Sequence, residues 1–524
     1  MNENSENFTE NRGGEVIRAR EQSPQNPPEN AKEKPEKPAK KWLPIVLIVA
    51  LLGAVTAVAL LLGGTSDSNT GGSNLSNNIN DTGVNWDKYE GSEITLSGSG
   101  KKTITEAGVY TLSGTLEDGY LEINTSGEVK LILNGVKITN TSGPAIYIAE
   151  AKLVTIETAA GSENTLTDGS TYSGWDEDVC AALFSHDDLV LQGSGTLTIN
   201  GNYEDGIVGK DDLKIVSGAY VVNSKDDGIR GRDSVYIVDG TFTITSGGDS
   251  IKSNNSDEVA KGWIKIDGGT ITASAGDDGI HAESSLEING GAIDIKKSYE
   301  GLEGALITIN GGDISVVASD DGINAAGGND SSSPNMSRYQ ESSSSYAIYI
   351  NGGNLYVNSA GDGIDSNGAF YMNGGTAIVD GPTNAGNGAL DAETGVVYNG
   401  GTLIAVGASG MAVAPSSSSS KYSLSVFFSQ TYVAGTVLEV KDASGNTLLS
   451  HTALKSFQHA SLSSDQFAEN GEYTVYINGE EYTTTKLAEK TTQVGSGMMN
   501  GGGMMPGQMN GGQGAQGGAQ QRRW

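Results

Sequence analysis

At 524 residues the chain is long enough for two or three domains or for one extended solenoid. Glycine is abundant at 75 residues while proline numbers only 11, which excludes a collagen-like repeat. Sixty-four acidic residues against 32 basic ones leave a net charge of -32, a surface that repels nucleic acid and attracts divalent cations or basic partners. The same charge serves plain solubility of an exposed β protein. Cys180 is the single cysteine, so packing or bound metal must hold the fold without an internal disulfide.

Residues 1–42 hold eight basic and eight acidic residues, five prolines and almost no apolar side chain, the composition of a disordered tail. Residues 43–62 are 20 uncharged, mostly apolar residues, which at about 1.5 Å per residue span the roughly 30 Å hydrocarbon core. Lys32, Lys34, Lys37, Lys40 and Lys41 precede them, with Trp42 at the interface position. The positive-inside rule then predicts a single-pass cell-membrane protein with a cytoplasmic N-terminus and an extracellular body. A cleaved signal peptide is the alternative, but the span is long for one and no persuasive cleavage site follows it. Residues 63–83, rich in Gly, Ser, Asn and Thr, read as a flexible linker.

From residue 84 to 415 two corners recur about every 22 residues, each followed by a short alternating β run. The first is an Asp-Asp-Gly-Ile corner. It appears at Glu204–Ile207, Asp226–Ile229, Gly248–Ile251, Asp277–Ile280, Asp320–Ile323 and Gly361–Ile364, with weaker copies at Tyr299–Leu302 and Gly386–Ala389. The second is an Asn-Gly-Gly corner, as at Asp267–Gly269, Asn289–Gly291, Asn310–Gly312, Asn351–Gly353, Asn373–Gly375 and Asn399–Gly401. Runs such as Ile264-Lys265-Ile266 alternate with period two, one face buried and one wet. A unit this short buries its apolar face only by stacking on copies of itself, which predicts an all-β parallel β-helix of about 13 or 14 coils. Leucine-rich repeats need a leucine frame with an asparagine ladder in it, and calcium-binding nonapeptide rolls need nine-residue steps; neither pattern occurs.

The repeated Asp-Asp-Gly-Ile and Asn-Gly-Gly-Thr corners, the membrane segment in front and the Gly/Met-rich tail together resemble a family of bacterial carbohydrate-binding domain proteins. The resemblance covers about residues 84 to 410. It implies a right-handed, polysaccharide-lyase-like parallel β-helix that binds cellulose and acidic, pectin-like sugars, holds calcium and has no established catalysis. Carried over to this chain, the calcium positions are Asp205, Asp226, Asp227, Asp277, Asp278, Asp320, Asp321 and Asp362. Ser250, Glu300 and Asn387 depart from the corner pattern and put calcium in doubt in their coils.

Stacking also sets one aspartate pair about 4.8 Å above the next, a repulsive ladder that raises carboxylate pKa values unless a cation joins it. Ca2+ takes oxygen ligands of this kind. Asp226, Asp227 and Asp249 with Asp205 form the first expected group, and Asp277 and Asp278 with Glu300, Asp320 and Asp321 the second. The competing explanation is that Asp before Gly merely forms turns. Sugar binding calls for exposed aromatics, for which Trp175, Tyr203, Tyr236, Trp263 and Tyr299 are the candidates. Tyr220, Tyr349 and Tyr356 lie in strands and are expected to face outward by alternation. A structural or adhesive surface rod binding protein or itself is one alternative. A calcium-dependent polysaccharide lyase is the other, and it would draw on Lys210, Arg230 and Arg232. His186 and His281 read as turn-region residues. Residues 421–485 have longer strands and are expected to form a small antiparallel β domain or cap. Residues 486–524 read as a disordered Gly/Met/Gln-rich tail.

Overall fold

The computed structural model describes residues 83–326 and 346–496. The stretch expected to span the membrane at 43–62, its cytoplasmic tail, nearly all of the linker, the serine-rich stretch 327–345 and the segment from 497 onward lie outside the described residues. Among the described residues no helix is long and apolar enough to cross a membrane.

Short strands joined by tight corners stack into a parallel β-helix with three faces. The first sheet starts at Lys102–Ile104 and passes through Asp205–Gly209, Ile229–Gly231 and Ile251–Ser253 to Ile364–Ser366. The second runs from Gly91–Leu96 to Gly395–Tyr398, and the third from the ends of Gly108–Leu116 and Glu128–Thr139 through Glu163–Thr167 to Thr402–Gly407. Alternation sends every second side chain inward. Register then places Ile207, Ile229, Ile251, Ile280, Leu302, Ile323 and Ile364 above one another, all at 0% exposure. One continuous apolar core results, each buried Ile or Leu contributing about 1.5–3 kcal/mol. Tyr220 belongs to this core, stacked on Phe242 at 5.2 Å, and does not face outward as alternation alone had placed it. In its strand, Ala219–Ser224, Tyr220 and Val222 are the inward residues and Ala219 and Val221 the outward ones.

Each corner type has its own steric demand. At the first, a Cβ on Gly301 would lie 2.2 Å from the Gly322 carbonyl oxygen of the next coil and 2.2 Å from Val316 Cγ1. At the second, the last glycine turns with positive φ, 95° at Gly269 and 96° at Gly291, a conformation other residues pay strain to adopt. The residue before these glycines builds an asparagine ladder. Asn289 Nδ2 donates to Asp267 Oδ1 (2.7 Å), Asn310 to Asn289 (2.7 Å), Asn351 to Asn310 (2.8 Å), Asn373 to Asn351 (2.8 Å) and Asn399 to Asn373 (2.9 Å). The ladder sits at a glycine corner and so needs no leucine-rich frame.

The C-terminal region has two parts. Val437–Asp442, Thr447–Thr452, Glu472–Ile477 and Glu480–Lys486 form a four-stranded antiparallel sheet. Phe457–Ser464 instead pairs antiparallel with Thr402–Gly407 and extends the third sheet beyond the last coil, followed by Ser423–Tyr432 and Thr491–Val494. The ordered chain therefore continues past residue 485, because Thr491–Val494 finds a strand edge beside Ser423–Tyr432 and Leu487 is fully buried.

Replacing Gly301 with Ala is expected to lower stability by about 1–3 kcal/mol through overpacking. Gly209→Ala, whose Cβ would meet nothing nearer than 3.5 Å, should change it by less than about 1 kcal/mol. Urea midpoints of the two variants against the parent check this.

Candidate functional site

The acidic corners form a ladder on the outer edge of the first sheet. The aspartate two residues before each corner Ile takes, on Oδ1, the backbone N–H of its counterpart one coil on. Asp205 accepts from Asp227 (2.9 Å), Asp227 from Asp249 (3.0 Å), Asp249 from Asp278 (2.8 Å), Asp278 from Glu300 (3.0 Å) and Asp321 from Asp362 (2.6 Å). Asp362 likewise accepts from Gly388 N. Turn formation thus accounts for one oxygen of each carboxylate and leaves the second free. The first acid of each pair has a different setting: Asp226 and Asp277 are solvent-exposed, and Asp320 is half-buried beside Tyr299.

What meets the second oxygen depends on the residue just after the corner Ile or Leu. Register stacks Arg230, Lys252, His281, Glu303, Asn324 and Asp365 in one outward row. Arg230 Nη2 pairs with Asp205 Oδ2, and its Nε lies 3.7 Å from Asp227 Oδ2. Lys252 Nζ pairs with Asp249 Oδ2 and lies 3.7 Å from Asp227 Oδ2. His281 Nδ1 lies 3.2 Å from Asp278 Oδ2 and pairs with Glu303 Oε2. Burial opposes the imidazolium, but hydrogen bonds to Asp278 and Glu303 outweigh it and hold His281 protonated. The expected group of Asp205, Asp226, Asp227 and Asp249 therefore already contains a guanidinium and an ammonium, although carboxylate oxygens of Asp205, Asp226 and Asp227 still lie within 4.8 Å of one another.

Farther along, these cations stop. Carboxylate oxygens of Asp321, Asp362 and Asp365 lie within 4.8 Å of one another, as do those of Asp278, Glu300 and Glu303. Burial, reinforced by the Asp362 charge, pushes Asp321 up to about 7 and Asp365 up to about 7. Burial lifts Asp362 to about 6, and burial with the Glu303 and Asp278 charges lifts Glu300 to about 9. Asn324, only 7% exposed, stands in the row between Glu303 and Asp365. Its Nδ2 donates to Glu300 Oε2 at 2.8 Å, while its buried Oδ1 has no hydrogen-bond partner. An orphaned acceptor oxygen among crowded carboxylates fits a hard cation with oxygen ligands, as Ca2+ is, and lacks the nitrogen and sulfur donors that zinc prefers. Asp321, Asp362 and Glu300 are among the residues that the corner motif singles out in the sequence, whereas Asp365, Asn324 and Glu303 lie outside the motif. The signal that points to them is the identity of the residue following the corner Ile or Leu.

The aromatic candidates divide. The loop before Ala181–Ser185 leaves the coil pattern and lays Trp175 on the flank of the first sheet. Its Nε1 donates to Ser142 O at 3.0 Å, and its ring meets Tyr120 and Tyr147 edge-on at 4.9 and 5.1 Å. Tyr203 stacks on Tyr172 at 4.3 Å beside it. A Cβ on Gly143 would lie 2.2 Å from the indole nitrogen, so glycine there makes room for the ring. Tyr120, Tyr147 and Tyr172 complete a half-exposed platform, with Asp176, Glu177 and Asp178 exposed next to it. Tyr236 is not part of it: it is 7% exposed, its hydroxyl bonds Asp267, and Lys214 and Lys265 lie near its ring. Trp263 stands in the outward row of the second sheet between Ser234 and Ser285, and Tyr299 is exposed at a corner.

Of the residues a lyase would use, Arg230 is held as described, Arg232 pairs with Asp257 (2.7 Å) and Asp233 (3.5 Å), and Lys210 lies 3.5 Å from Asp178. His186 Nε2 lies 3.3 Å from the Tyr147 hydroxyl.

Because Asp321, Asp362 and Asp365 have folded-state pKa values above the ordinary 3.8, the folded, metal-free chain keeps protons that the unfolded chain has released. That contribution to stability is complete below about pH 4 and is lost as pH rises through about 7. Chelated protein should therefore lose thermal midpoint between pH 4 and 7 more steeply than chelated Asp365→Asn, as scanning calorimetry across that range would show.

Residues 99–337 match the profile of a family described as carbohydrate-binding domain-containing proteins. A carbohydrate-binding domain-containing protein of Acetivibrio thermocellus is 41% identical over 147 residues, 27% of this chain and 50% of that protein. The chain thus spans about half the length of that curated relative. The solved structure of a polysaccharide lyase-like protein from C. thermocellum, a gadolinium derivative, shares 37% identity, covering 41% of this chain and 84% of its own, with a TM-score of 0.36. Within its β-helix, over residues 99–337, this chain is thus similar to the family of carbohydrate-binding domain-containing proteins.

Proposed function

We propose that the chain is a membrane-anchored, extracellular protein that binds polysaccharide along the flank of its β-helix and holds calcium in the C-terminal half of the acidic ladder. The observation that carries the sugar reading is the platform around Trp175. An aromatic surface fixed by ring contacts and by the Ser142 bond, with exposed carboxylates alongside, offers a sugar ring an apolar face to lie on and acceptors for its hydroxyls. A second surface of similar character lies on the third sheet. There a trough of about 510 Å³ has Ala292, Tyr356 and Ile378 in its lining, together with Asp294, Asp313 and Asn354.

Asp321, Asp362, Asp365 and Asn324 are the residues that would hold calcium. Such an ion would neutralise buried carboxylates and attract an acidic glycan to an otherwise repelling surface. The net charge of -32 makes this relevant, since pectin-like uronates approach the surface only through a cation or a local basic group. The stretch 43–62, preceded by its lysine cluster, supplies the anchor and the orientation.

The test is calorimetry on the full chain in detergent, titrating polygalacturonate and cellulose oligomers into calcium-loaded and chelated protein. Trp175→Ala is expected to weaken binding of at least one of them about tenfold, equivalent to ~1.4 kcal/mol. Gly143→Ala should weaken the same ligand by displacing the indole. Unchanged affinity in both variants, or no sugar binding at all, would remove the platform from the reading.

A further inference from the structure

The acidic ladder solves one electrostatic problem in two ways within a single stack. Three buried aspartates, Asp227, Asp249 and Asp278, belong to the coils whose outward row carries Arg230, Lys252 and His281, while the coil of buried Asp205 carries Val208 there and takes Arg230 from the next coil. Each of those three side chains bridges carboxylates of its own coil and of a neighbouring one. In the later coils the same row position holds Asn324 and Asp365, and among the described residues Asp321, Asp362 and Asp365 have no ion pair. The backbone geometry is unchanged, since Oδ1 of the corner aspartate accepts the next coil's N–H in both halves. Only the row residue differs.

We propose that the residue directly after the corner Ile or Leu decides whether a coil carries its own counter-ion or takes a divalent one from solution. Arg230 and Lys252 stand where an ion would otherwise bind, and Asn324 and Asp365 leave that place open. The inference rests on the calcium reading above and adds to it a positional rule. A tethered cation is present at every calcium concentration, so the coils around Arg230 and Lys252 keep their packing when calcium is removed. The coils from Leu302 onward do not. In the earlier coils the buried atoms of the ladder and its outward row that lack a hydrogen bond, Arg230 Nε and Asp249 Oδ2, each face an opposite charge, whereas Asn324 Oδ1 has no such partner, and that sets the later coils apart from a mere run of acids.

The rule is tested by moving the charge. Asn324→Lys places a cation in the later coils at the register of Arg230 and Lys252. Lys252→Met removes one from the earlier coils. Calcium is titrated calorimetrically into chelated full-length protein, and thermal midpoints are taken with calcium and with chelator. The parent is expected to take up calcium and to gain midpoint from it. Asn324→Lys should lower calcium affinity at least a hundredfold and have a midpoint that no longer responds to calcium. Lys252→Met should bind one more ion than the parent, and its midpoint in chelator should drop and be restored by calcium. Hydrogen exchange of the parent on chelation should rise in the coils after Leu302 and stay unchanged around Arg230 and Lys252.

Parent-like calcium uptake by Asn324→Lys overturns the rule, as does a folded Lys252→Met that gains no ion. Should Lys252→Met fail to fold even with calcium, Asn324→Lys and the exchange pattern decide. A parent that takes up no calcium overturns the calcium reading together with the rule, whereas calcium uptake by the parent that Asn324→Lys leaves unchanged removes the rule alone.

Discussion

In a stack of parallel coils, register sets each side chain directly over its counterpart, at a strand spacing of about 4.8 Å. Whatever one coil places at a position, the next places against it, so like meets like along the whole rod. For isoleucine this is favourable, and the column from Ile207 to Ile364 is fully buried. For asparagine it is also favourable, since an amide is both donor and acceptor and each rung completes the next. For an ionised carboxylate it is unfavourable, because an anion held above an anion in a half-buried row has neither donor nor water enough. Much of the chemistry along the first sheet follows from that third case.

The chain handles its carboxylate column by dividing the labour of each group. One oxygen is spent on the backbone N–H of the next coil, which orders the corner and makes the aspartate structural. The other is left to whatever charge the neighbouring row supplies. That explains why turn formation and cation binding are not rival accounts of the Asp-Gly corner: each describes a different oxygen of the same group. It also explains how the surface can be strongly acidic overall and yet hold a guanidinium and an ammonium that are largely buried.

Much of the architecture was legible in the sequence. Corners repeating at fixed spacing, with Ile or Leu at a constant offset, are sufficient to imply stacked coils, and the change to longer strands after residue 421 marks where the coils end. What the sequence withheld was mostly about parity and lateral neighbours. Tyr220, Val221 and Val222 are apolar at three successive positions, so the sequence allows either parity and only the fold puts Tyr220 in the core. The pairing of Arg230 with Asp205 crosses a coil and joins residues 25 apart, so an acidic motif read along the chain looks open when it is filled. Trp175 was recognisable as lying outside the repeat, but its companions Tyr120 and Tyr147 come from earlier coils. The junction at Thr402–Gly407, where a parallel sheet accepts an antiparallel strand, depends on the edge left by the last coil and has no motif of its own.

The asparagine ladder has one further property. All its amides donate in the same sense, from Asn399 down to Asp267, and Ser420 donates into the upper end through Asn399 Oδ1. Side-chain dipoles so aligned add along the rod axis with their positive end at Asp267. β-sheets have only small net dipoles of their own. Here the corner supplies one, a macrodipole made of side chains, terminating on an ionised carboxylate much as a helix N-terminus terminates on an acidic cap. No single amide can turn over without breaking the bonds above and below it, so the edge has a fixed direction, and the two ends of the rod are electrically distinguishable.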